Sequence, residues 1–153
     1  MAIQYLGNTY DDDADWLALI REAARFRFGP SWLRSDLDVS SGLAELAEQL
    51  KGTAAWRKLA NAALQIIDQG SPAERVAVWQ LPWELADNAV PRLLRLVKRD
   101  RERLAEVRGV PNVIWRLLQA YPEDPDVLAA LRSEAASETP DPWILEMSSK
   151  HKV

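Results

Sequence analysis

The chain of 153 residues has no cysteine, a single histidine and only 6 glycines. Each scarcity closes off a class of chemistry. Without cysteine there is no disulfide framework, no thiol nucleophile and no thiolate metal site. Such a composition fits a reducing compartment. The one histidine, His151, stands in the terminal "SSKHKV", so no Ser-His-Asp triad, Cys-His pair or histidine metal centre is expected. The glycines form neither GxxxxGK[ST] nor GxGxxG, so no phosphate-cradling loop is expected. No cofactor is expected either. Apolar runs of the roughly 18 residues that span a bilayer are missing. The opening "MAIQYLGNTYDDDAD" has neither a basic n-region nor an apolar h-region, so no secretory signal and no membrane partner are expected. A cytoplasmic location follows as the expectation.

What is present is acidic and tryptophan-rich. A net charge of −4, a pI near 5.1 and 7 tryptophans argue against a nucleic-acid backbone as the main partner and suit a basic protein partner. The length suffices for one domain that buries roughly two-thirds of its unfolded surface.

Apolar residues recur at spacings of three and four with no sustained alternation, which predicts an all-α protein of about seven helices. The first helix is expected from Ala14 to Phe28, capped by "DDDAD" and stopped by Gly29-Pro30. A loop carrying Trp32 follows, then a short helix over 42–51. The third has the cleanest stripe, Trp56, Leu59, Ala60, Ala63, Leu64 and Ile67, with Thr53 able to cap its start and Gly70 its end. "SPAE" at 71–74 has Ser at N-cap, Pro at N1 and Glu at N3, a capping box that opens a fourth helix at Pro72. That helix is expected to run through Pro82 with a kink, at a cost of about 3 kcal/mol if it stayed straight. Trp79 and Trp83 read as core that offsets part of the cost. The fifth helix spans about 88–108, either continuous or broken near Asp100. The sixth starts near Pro111, and Asp124-Pro125 opens the seventh. The domain is expected to cover 1–132, followed by a loosely ordered tail over 133–153 with "PWILEM" as a candidate docking segment.

"SPAERVAVWQLPWELADNAVPRLLRL" at 71–96 resembles one unit of the HEAT-like, armadillo-like helical repeats. There a first helix, often bent by proline, ends at an Asp-containing turn, and a second starts with Val-Pro and two leucines. The matching residues are Ala77, Leu81, Pro82, Leu85, Asp87, Ala89, Val90, Pro91, Leu93 and Leu94. The resemblance implies a compact bundle or short superhelix with HEAT-like hairpins. The chain departs from the pattern by placing Trp79 and Trp83 where smaller residues are usual, and by its uneven hairpin lengths.

No catalytic constellation emerges. The carboxylate pairs Glu45/Glu48 and Glu102/Glu106 read as solvated helix faces. Asp11, Asp12 and Asp13 lack the interleaved spacing of a calcium loop and read as cap and surface acid, so no metal site is expected. Arg92, Arg95, Arg99 and Arg103 form one basic stripe if the fifth helix is continuous. Ion pairing with the interleaved acids is the simplest reading of them, and a nucleic-acid groove of the HEAT-like DNA glycosylase kind is the alternative. Tryptophan and arginine are the usual anchors of protein interfaces. Trp32 with Arg34, flanked by Asp36 and Asp38 and joined by Asp11–Asp13, is the expected partner-binding surface. Trp32 as a lid over the first helix stays open as well. These features together predict a non-enzymatic protein-binding module, an inhibitor or immunity-type protein that neutralises a bacterial toxin domain. A nucleic-acid-processing module and a scaffold fragment are the alternatives.

Overall fold

A computed structural model describes residues 16–18, 20–21 and 47–151. Every regular element among them is helical. Residues 16–18 and 20–21 are helical, with Trp16 and Ile20 buried, and 47–50 end a further helix at Gly52, which has φ +83°. The long elements follow as α1 (Ala54–Gln69), α2 (Pro72–Val78), a 3-10 turn (Trp83–Leu85), α3 (Ala89–Arg99), a 3-10 segment (Arg101–Val107), α4 (Gly109–Ala120), α5 (Pro125–Ala135) and α6 (Pro142–His151). By packing, the chain divides into two compact units, residues 1–89 and 90–153.

In the first unit α1 is the central element. Leu59, Ala60, Ala62, Ala63, Leu64, Ile66 and Ile67 are all buried. That face is wider than the expected stripe, because α2 and the Trp83–Leu85 turn both pack on α1. Trp56 stays half-buried at the edge. The Thr53 hydroxyl accepts from the Trp56 amide at 3.3 Å, as its position before the stripe predicts. At the far end the Gly70 amide donates to the Ile66 carbonyl at 2.7 Å, and a Cβ on Gly70 would lie 2.6 Å from that same oxygen. Glycine is required here by close approach, not by a left-handed φ. The capping box is formed: the Ser71 amide donates to Glu74 Oε1 at 2.8 Å and the Glu74 amide to Ser71 Oγ at 3.2 Å.

The expected kink at Pro82 is corrected by the structure. α2 ends at Val78, and Pro82 follows in a non-helical conformation (φ −80°, ψ 53°). A helix through Pro82 would drive its ring into the Val78 carbonyl and leave that carbonyl without a donor. The chain instead tightens: the Leu81 amide takes the Val78 carbonyl at 2.9 Å, and the Trp83 indole N–H takes the Trp79 carbonyl at 3.2 Å. Trp83 thus caps the end of the helix it was expected to continue. It is fully buried, as a core reading requires, whereas Trp79 is half-buried.

The turn after it is fastened to α1. Asp87 accepts from Arg57 Nε at 2.8 Å and from Asn61 Nδ2 at 3.2 Å, and its amide donates to Asn61 Oδ1 at 2.8 Å. These donors, Arg57 first and Asn61 second, hold the Asp87 carboxyl below its ordinary pKa of 3.8.

In the second unit α4 packs against the Arg101–Val107 segment, α5 and α6, and α5 also packs on α6. Val110, Val113, Ile114, Leu117 and Leu118 supply the buried side of α4. Asp124 caps α5 by accepting from the Asp126 and Val127 amides at 2.9 and 3.2 Å. The loosely ordered tail expected over 133–153 is corrected in part. α6 is a helix of 10 residues whose Ile144 and Met147 are buried. Their spacing of three presents one apolar edge, enough to dock a helix but too short a pattern to be conspicuous amid Ser, Glu and Lys.

Candidate functional site

Trp32, Arg34, Asp36, Asp38 and Asp11–Asp13, the surface expected to meet a partner, lie outside the described residues. So does Glu45 of the first carboxylate pair. The arginine candidates Arg92, Arg95, Arg99 and Arg103 fall in the second unit, which also presents an aromatic surface that the sequence did not single out.

The first surface is the arginine stripe. The break at Asp100 (φ −149°, ψ 61°) ends α3, so Arg92, Arg95 and Arg99 stay on one helix while Arg103 leaves it. Arg103 Nε bonds to Asp100 Oδ2 at 2.8 Å, the ion pairing expected of this segment. Between α3 and α5 runs a cleft of about 650 Å³. Pro91, Leu94, Arg95, Lys98 and Arg99 form its α3 wall, spaced as one face of a helix. Asp126, Ala129, Ala130, Ser133 and Glu134 form the α5 wall. Val97 is the one lining residue that is buried, and most of the others are exposed. The space is an open groove.

One cation of this groove is fixed. Arg101 grips Glu134 with two parallel bonds, Nη1 to Oε2 at 3.0 Å and Nη2 to Oε1 at 2.7 Å. The fork ties the C-terminal end of α5 to the residues just after α3. It raises the Arg101 pKa above its ordinary value, with the Glu134 carboxylate as the main cause. Planar two-point pairing of this kind adds geometric definition as well as energy. Lys98 and Arg99 are exposed in the last turn of α3, where positive charge complements the helix dipole. Neither makes an ion pair with a described residue.

The second surface is aromatic. Trp115 of α4 and Trp143 of α6 lie with ring centroids 5.9 Å apart, tilted by 35°. Trp115 is 40% exposed and Trp143 37%. With Leu145 they are the exposed large hydrophobics among the described residues. Trp143 lies in the first turn of α6, where the Asp141 carboxylate accepts its amide proton at 2.8 Å. The side chains are set on opposite partners by two packed helices, a contact across 28 positions that spacing along the chain cannot reveal. The local signal for Trp143 is the short apolar cluster "PWILEM" itself, standing in an otherwise polar C-terminal segment.

Elsewhere the polar chemistry is sparse. No group of three His, Asp or Glu able to hold a metal ion occurs among the described residues. His151 is exposed at the end of α6, and Glu102 is exposed on the segment after α3, with Glu106 half-buried beside it. No helix among the described residues is long and apolar enough to cross a membrane. Sequence reasoning found Arg95 and Arg99 but missed Lys98, Arg101 and Glu134, because the groove exists only once α5 is set beside α3. The chain matches no protein family model, no curated protein and no solved structure.

Proposed function

We propose that this chain acts by binding another protein, as an inhibitor of immunity type that covers the working surface of a toxin, and that Trp115 and Trp143 anchor that contact. The observation that carries the reading is the pair of tilted, adjacent indoles left in water. Each tryptophan exposes more than a third of its surface, which leaves on the order of 2 kcal/mol of burial free energy unrealised per residue in the isolated chain. Aromatic side chains held rigidly by packed helices are the usual anchors of protein interfaces, since little side-chain entropy is lost when they bind. The net charge of −4 favours a basic partner through long-range steering. Trp32 and Arg34 are proposed as a second contact. A role without catalysis is part of the same proposal.

Co-expression with the protein encoded beside its gene tests this. A complex that survives size exclusion, together with relief of that protein's toxicity, is expected. The double variant Trp115→Ala, Trp143→Ala should keep its helical circular dichroism and lose at least tenfold in affinity, since anchor truncations cost about 2 kcal/mol or more. No complex with the native chain overturns the inhibitor reading. A complex unchanged by the double variant overturns the assignment of the surface.

A further inference from the structure

The groove between α3 and α5 is a separate surface from the tryptophan pair and carries an inference of its own. We propose that it receives an amphipathic helix of a partner protein, bearing acidic residues beside its apolar stripe. Three observations select this occupant. The lining has apolar side chains on both sides, Leu94 and Val97 facing Ala130. The middle of the α5 wall presents Ala129, Ala130 and Ser133, small side chains that let a second backbone approach closely, with the acids Asp126 at one end and the Arg101-paired Glu134 at the other. The rim on the α3 side is cationic through Lys98 and Arg99, both exposed and without an acidic partner among the described residues.

The groove is too open for a small ligand. Small-molecule sites bury most of their ligand, whereas nearly every residue lining this space is itself exposed or half-buried. An elongated occupant that keeps one face in solvent fits it. The α3 wall from Pro91 to Arg99 is about 12 Å long at 1.5 Å per residue, matching the apolar stripe of a short helix read at i, i+3, i+4 and i+7. Its acidic flank pairs with Lys98 and Arg99, and its stripe covers Leu94 and Val97. The Arg101–Glu134 fork holds the two walls at one end, so the groove is formed before the partner arrives.

The test uses the full chain and a fluorescein-labelled amphipathic peptide of about three helical turns, with leucines on one face and glutamates flanking them. A peptide with lysines in place of the glutamates and a scrambled acidic peptide serve as controls. Saturable binding of the acidic peptide below about 1 mM is expected, weakening as salt is raised. The double variant Lys98→Glu, Arg99→Glu should bind it about tenfold less tightly. Because that change also opposes the α3 dipole, Ala129→Trp provides a second variant, which fills the groove from an exposed position and should abolish binding with the helical signal intact. No saturable binding, equal binding of the scrambled or lysine peptide, or binding indifferent to both variants would overturn the proposal. So would tighter binding of mixed-sequence duplex DNA lost in the same variants, which would mark the rim as a nucleic-acid contact. Peptide binding that survives Trp115→Ala, Trp143→Ala keeps this site distinct from the tryptophan surface.

Discussion

Asp87 shows how much a single exposed side chain can organise. It joins Arg57 and Asn61 of α1 to the turn that precedes α3, and these donors depress its pKa. A carboxyl whose folded pKa lies below its unfolded value stabilises the fold above the unfolded value, near 3.8. That stabilisation is lost as pH falls through the lower folded value. The difference in urea midpoint between wild type and Asp87→Asn should therefore be constant above about pH 5 and shrink below the ordinary carboxyl pKa. A difference independent of pH would show that the bonds do not favour the ionised form. The sequence showed Asp87 as a turn residue of the repeat-like pattern. Its partners, 26 and 30 positions away, were not legible, because local spacing says nothing about which helix a turn will meet.

Among the elements, α6 departs furthest from expectation. Its composition reads as tail, yet Ile144 and Met147 are buried and the helix packs on α4 and α5. Backbone amides from Leu145 to Lys150 should exchange with solvent slowly, in step with α5, as a docked helix requires. Exchange at the rate of an unstructured peptide would return this segment to the loose tail. α2 makes the complementary case. The capping box fixed its start from four residues, because a cap is satisfied within one turn. Its end is not legible locally, because a proline inside a helical pattern can kink the helix or stop it. The stop goes with the burial of Trp83, whose turn packs on α1 and whose indole bonds back to the Trp79 carbonyl.

For the molecule as a whole, the two compact units each have a core of their own. Trp83 is among the largest fully buried side chains of the first. Its replacement by alanine should cost about 3–5 kcal/mol. Hydrogen exchange should accelerate first along α1, with α4 following later or not at all. Equal acceleration in both helices would argue for a single cooperative body. Charge is also distributed at this scale: an acidic chain carries a locally basic groove, because Lys98, Arg99 and Arg101 cluster where α3 ends. Net charge describes steering at a distance, and the groove describes what is met on contact.

The sequence by itself determined that the protein is all-helical, where most helices begin, and which apolar stripe of α1 turns inward. These follow from periodicity and capping, which act within one or two turns of chain. Tertiary structure alone decided that Pro82 ends a helix, that Asp100 divides the arginine stripe, that α6 docks, and that Trp115 meets Trp143. Each of these turns on a contact between residues far apart in sequence or on a choice between two locally permitted geometries. The candidate surfaces belong to this second group, since a groove or an exposed aromatic pair is made only when separate elements come together.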